Sequence, residues 1–158
     1  MMLGAAAVTI LLLYFSYTDF RYKILPNKLM YPALSSISIY RLFIHDDAIW
    51  TYFATGGIAG GLFLLVALIN PKWIGGGDVK LLAFLGIALG WELMVIATLI
   101  FSIAGFIFSL FTGFLKRTLR KIIPLGPFIA LGGIAALWFG NSFLEWLYTL
   151  FTTAYKIV

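Results

Sequence analysis

The chain has 158 residues, 63% of them hydrophobic and only 11% charged, against about half and about a quarter in an ordinary soluble domain. A protein of this size cannot hide that apolar excess inside itself, so lipid must cover much of it. Cysteine is absent, which excludes structural disulfides, cysteine-based zinc sites and thiol nucleophiles. The formal net charge of +5 then reports loop orientation in a bilayer rather than affinity for nucleic acid. The expected class is an all-α, polytopic membrane protein forming a single domain over residues 1–158.

Residues 1–18 are apolar with no positive charge ahead of them, whereas Arg21, Lys23 and Lys28 follow. A secretory signal has the reverse order, so this helix is expected to be retained, with its N-terminus outside and its end in the cytoplasm. Residues 19–28 read as the first cytoplasmic loop, closed by Leu25-Pro26-Asn27, with Asn27 as the cap of the next helix. That helix is expected over about 28–44. Arg41 near its far end is read as snorkelling to headgroups. His45-Asp46-Asp47 makes a solvated external turn, too small a set for a metal centre.

Residues 48–71 carry no charge before Lys72 and are long enough to cross about 30 Å of hydrocarbon. Gly56-Gly57 and Gly60-Gly61 give them a small-xxx-small pattern, read as helix packing. Pro71 and Lys72 return the chain to the cytoplasm. The apolar segment 79–90 is short, about 18 Å as a helix, and Trp91-Glu92 is expected to mark an external turn. Residues 93–115 are a full span ending in Lys116-Arg117-Thr118-Leu119-Arg120-Lys121, the strongest orientation signal in the chain. Residues 123–128 break the helix, 129–140 cross outward, and 141–158 either lie along the interface or return as a partial span. Six spanning helices and three cytoplasmic loops result.

Between these runs sits Gly75-Gly76-Gly77-Asp78-Val79-Lys80. An acid at the edge of a bilayer is costly, and such acids read as functional by default. The expected topology puts Asp78 on the same side as Asp19, while Asp46, Asp47, Glu92 and Glu145 fall at external turns or in the tail. Two carboxyls sharing a site do not both ionise readily. The charged one can take a proton from water as it attacks a carbonyl, and the protonated one can polarise that carbonyl and protonate the leaving amine. No metal or cofactor is required, and which aspartate is the acid stays open. Gly75, Gly76 and Gly77 suit close approach of an extended substrate backbone or simply a flexible loop. Lys80 does not face Asp78 along a helix and reads as a lipid-phosphate or loop contact. Lys23 pairs with Asp19 if the first helix extends that far, or is solvated.

At these residues the chain resembles the type IV prepilin peptidase family, including the preflagellin peptidases, which are intramembrane aspartyl proteases of the GxGD type. Three blocks carry the resemblance: Asp19-Phe20-Arg21 with Ile24-Leu25-Pro26-Asn27, then residues 75–82 from Gly75 through Asp78 to Leu82, then residues 124–133 beginning Pro124-Leu125-Gly126-Pro127. Leu25 departs from the isoleucine usual before Pro-Asn. The resemblance implies that Asp19 and Asp78 are the catalytic pair, with Pro26, Asn27 and the three glycines shaping the site. It implies pilin-like precursors as substrate, cleaved ahead of their apolar helix at the cytoplasmic face of a prokaryotic cell membrane. Larger members carry an N-terminal region with paired cysteines and N-methyltransferase activity, so a peptidase-only enzyme is expected here. Arg21, Lys23 and Lys80 then either meet an acidic residue beyond the cut or are ordinary positive-inside charges. The competing class is a small ion- or proton-coupled transporter using both acids as a relay, which predicts an acid deep in a span. The oligomeric state is not legible.

Overall fold

The computed structural model describes residues 2–45, 47–70, 74–116 and 125–155. These form six helices: α1 (Met2–Tyr22), α2 (Asn27–Phe43), α3 (Ile49–Ile69), α4 (Gly76–Leu89), α5 (Trp91–Lys116) and α6 (Gly126–Tyr155). The stretches Leu3–Tyr22, Ile49–Ile69, Trp91–Phe111 and Gly126–Thr153 are each long and apolar enough to cross a membrane, so this is an all-helical, multi-pass membrane protein. Helices α2 and α4 are shorter, with 17 and 14 residues, or about 25 and 21 Å. Asp46, Pro71, Lys72, the basic cluster beyond Lys116 and the helix break at 123–124 lie outside the described residues.

The short helix is the centre of the molecule. Nine residues of α4 are buried, Asp78 among them, and it packs most extensively on α3 and also against α2, α5 and α6. In lipid there is no hydrophobic drive between helices, so small residues that admit close backbone approach decide who packs on whom. A Cβ on Gly86 would lie 2.7 Å from the Cα of Gly56, and one on Gly60 would lie 2.9 Å from the Cβ of Ala83. Gly56 and Gly60 are therefore the packing pair, while Gly57 and Gly61 face open space. On the other side, Phe15 of α1 meets Phe84 of α4 edge-on, with ring centroids 6.5 Å apart. Leu12, Phe15, Leu81, Phe84, Leu85 and Ile129 are almost wholly buried around that contact.

The helix ends differ from the sequence-based expectation in instructive ways. Nothing in Asp19-Phe20-Arg21 breaks a helix, and α1 runs through them to Tyr22. Lys23 closes it with φ 53, donating its N–H to the Asp19 carbonyl at 2.9 Å, a cap conformation that glycine usually supplies. Asp19 thus belongs to a helix rather than a loop. Asn27 is not the cap of α2: Pro26 takes that place, its carbonyl accepting the N–H groups of Leu29 and Met30 at 3.1 Å. Trp91 and Glu92 do not form a turn. Gly90 alone makes it, at φ 77, where a Cβ would also meet the Tyr52 ring at 2.9 Å, and α5 starts at once. Helix α6 continues through Gly140 and Asn141, because Gly140 packs closely against Leu93. The tail to Tyr155 is part of that helix.

Arg41 does not snorkel. Its Nη2 donates to the carbonyl of Ala88 and its guanidinium lies 4.2 Å over the Tyr52 ring. Because α4 is short, it ends among its neighbours with carbonyls that have no partner in the helix. A cation is favourable at that end.

Candidate active site

Asp19 lies in the last turn of α1 and Asp78 in the first turn of α4. Both are buried, 7% and 9% exposed. Two contacts draw their helices together: the Phe15–Phe84 pair one turn below Asp19, and Leu25, against which a Cβ on Gly77 would lie at 2.8 Å. The charge of Asp19 acts on the Asp78 carboxyl.

Each carboxylate rests on the start of a helix, where backbone N–H groups have no partner and the peptide dipoles favour negative charge. Asp78 Oδ2 accepts the N–H of Gly75 at 3.3 Å, at the start of its own helix. Asp19 Oδ2 accepts the N–H of Gly126 at 2.8 Å, at the start of α6. A Cβ at position 126 would lie 2.6 Å from that oxygen, so only glycine lets the chain come this close. Gly126 is the residue at the site to which the sequence reading gave no role. It stood in the third block of the resemblance, between Pro124 and Pro127 at a helix entry, where a glycine reads equally as a helix break.

Asp78 lies ahead of the apolar part of α4 and outside the four spanning stretches. Burial, and then the Asp19 charge, push its carboxyl from the ordinary 3.8 up to about 6, while the Gly75 N–H pulls the other way. Its second oxygen, Oδ1, is buried and has no hydrogen-bond partner among the described residues. Such orphaned acceptors are rare in native proteins and demand a reason. A carboxyl kept protonated, or a reacting group brought in by a substrate, supplies one. Among the described residues no three His, Asp or Glu side chains converge as metal ligands would. The arrangement offers acid–base chemistry by a pair of carboxyls.

The remaining expected residues divide. Gly75 is extended, with φ −75 and ψ 145, a conformation open to any residue, and Gly76 and Gly77 are helical. The glycines are therefore no flexible loop. Gly77 is small because Leu25 presses on it, and Gly76 faces open space. Leu25 rides on the start of α4, and Pro26 caps α2. Lys80 turns to α2: its Nζ donates to Asn27 Oδ1 at 2.9 Å and to the Tyr31 hydroxyl at 3.0 Å. Arg21 is exposed, 5.9 Å from the Tyr22 ring. Lys23 is also exposed, and its charge reaches Asp19.

The model of the type IV leader peptidase family matches residues 6–110, which include both aspartates. Among curated proteins, the chain is similar to the prepilin leader peptidase/N-methyltransferase of Bacillus subtilis, 32% identical over 85% of this chain and 55% of that protein. The protein of the same name from Burkholderia pseudomallei is 36% identical over 89% of this chain and 48% of its own length. That from Escherichia coli is 31% identical over 84% and 59%. The chain thus spans about half the length of these curated relatives. No solved structure matches it.

Proposed function

This chain belongs to the type IV leader peptidase family, and from that membership we propose that it is an intramembrane aspartic endopeptidase. Asp19 and Asp78 are its catalytic pair, and the leader peptides of pilin-like precursors are its substrates. The observation that carries the reading is a buried pair of acids, the charge of Asp19 acting on Asp78, whose Oδ1 has no partner among the described residues.

The chemistry follows from the pair. One proton shared between two carboxyls leaves one base, which takes a proton from water as it attacks the scissile carbonyl, and one acid, which polarises that carbonyl. The same proton then passes to the leaving amine. Gly126 N–H and Gly75 N–H keep one oxygen of each carboxyl oriented through the cycle. Arg21, Lys23 and Lys80 belong to the helix ends that carry the dyad and Lys28 to the start of α2 beside them, and positive charge of that density favours the cytoplasmic leaflet. A precursor whose apolar helix lies in the bilayer would present its leader at that level. Both acids lie within a turn of a helix end, which favours hydrolysis there over a relay through the membrane.

The test is incubation of the detergent-purified protein with pilin-like precursors, reading the new N-terminus. Asp19→Asn and Asp78→Asn are each expected to lower cleavage by about 10⁴-fold or more, with the double variant no worse, since groups acting as a unit are not additive. Normal processing by either single variant would end the proposal.

A further inference from the structure

We propose that Lys80 is a positioning residue of the carboxylate pair. Its ammonium, shared between Asn27 and Tyr31, holds the α1–α2 connection against the first turn of α4 and so sets the separation of Asp19 from Asp78. This inference rests on the dyad reading above.

The geometry begins with helical spacing. Two residues past Asp78, Lys80 projects from a different side of α4 and does not pair with that acid. It reaches α2 instead. Asn27 and Tyr31 are four residues apart and share one face of α2. The ammonium bonds to both, at 2.9 and 3.0 Å, and lies 4.6 Å from the Tyr31 ring centroid. An ammonium has three donors, so two of them are committed to α2.

The position of α2 matters because of what precedes it. Leu25, two residues before Asn27, presses on Gly77, and Lys23 closes the helix that carries Asp19. The short run from Lys23 to Asn27 is the shortest covalent link between the turn of Asp19 and the clamp on Lys80. Helix α1 packs chiefly on α6, and its approach to α4 rests on the Phe15–Phe84 layer one turn away. At the level of the carboxyls themselves, the Lys80 clamp and the Leu25–Gly77 contact tie the α1–α2 connection to α4, beside the bond that holds Asp19 to Gly126 of α6.

The competing role for Lys80 is direct contact with an acidic residue of the precursor. That role would appear in KM, whereas a misplaced dyad appears in kcat. Loss of active protein would also lower apparent kcat, but it leaves the shape of a pH–rate profile alone. Two close carboxyls titrate far apart because each opposes ionisation of the other. The Lys23 charge bears on Asp19. Removing a cation that acts on both carboxyls moves the two limbs of the profile together, whereas a wider dyad brings them closer.

The experiment is steady-state cleavage of a precursor leader across pH by the full chain and by Lys80→Met, Lys80→Arg, Tyr31→Phe and Asp78→Asn. Lys80→Met is expected to lose about 100-fold in kcat, the cost of roughly 1 Å of misplacement, with KM within about twofold and the limbs closer together. Lys80→Arg, which restores a cation with several donors, is expected to recover most of the loss. A raised KM at unchanged kcat, or a lowered kcat with unchanged limb spacing, overturns the proposal. Should Lys80→Met not fold, Tyr31→Phe decides by the same spacing, since it removes only the hydroxyl. Full activity in Asp78→Asn would instead overturn the dyad reading itself.

Discussion

The two ends of α4 are built from the same kinds of parts and finished differently. At its C-terminal end Gly90 turns the chain, Tyr52 lies against that turn, and Arg41 donates to the Ala88 carbonyl while stacking on Tyr52. A cation sits where the helix dipole favours one, and that end is closed. At its N-terminal end Asp78 also sits where the dipole favours it, and Gly75 supplies an N–H. Among the described residues each end keeps one buried polar atom without a partner, Arg41 Nε and Asp78 Oδ1, but at the N-terminal end a second acid lies within range. One end sets a cation against a carbonyl, and the other sets two carboxyls against each other. The difference separates a structural terminus from a reactive one.

Substitutions at each end sharpen that contrast. Outside the two acids themselves, the largest effect is expected at the partner of the reactive end. Gly126→Ala keeps the N–H but places a methyl 2.6 Å from Asp19 Oδ2, and the carboxyl must move. Cleavage is expected to fall about 100-fold in kcat with the thermal midpoint changed by little, as measured by leader cleavage and by thermal melting in detergent.

Next comes a gain in stability at the same end. Burial and Asp19 raise the Asp78 carboxyl to about 6, so the folded protein favours its protonated form. That contribution is complete below the ordinary 3.8 and is lost as pH rises through about 6. Above that value the wild type carries a penalty of about 3 kcal/mol, which Asp78→Asn removes. The variant should therefore melt higher than wild type near neutral pH, and the difference should shrink as pH falls toward 4. A difference that does not change with pH would contradict the assignment.

The smallest effect on chemistry is expected at the closed end. Arg41→Met removes the bond to Ala88 and the contact with Tyr52, at a cost of about 1–2 kcal/mol in stability. Cleavage by the folded protein should stay within about twofold of wild type. A loss of activity there as large as at Gly126 would erase the distinction between the two ends.

The apolar runs were plain in the sequence because a bilayer demands long uncharged stretches, and the two acids stood out for the same reason. The interior of the site was much less legible. Gly76 and Gly77 carry no side chain to announce a helix, so their place in α4 is set by what packs around them. The Arg41 bond to Ala88 joins residues 47 apart, the Lys80 bond to Asn27 joins residues 53 apart, and the Gly126 bond to Asp19 joins residues 107 apart. No local pattern encodes such meetings. A basic residue near a helix end looks the same in one dimension whether it reaches lipid or turns inward to a carbonyl.

The central claim is that Asp19 and Asp78 occupy one site, and the absence of native cysteine makes a direct measurement of it possible. In the double variant Asp19→Cys with Asp78→Cys, a short bifunctional thiol reagent is expected to form an intramolecular cross-link in the folded protein in detergent and to lose it on prior unfolding. Failure of that link, under conditions where Phe15→Cys with Phe84→Cys joins readily, would contradict the account.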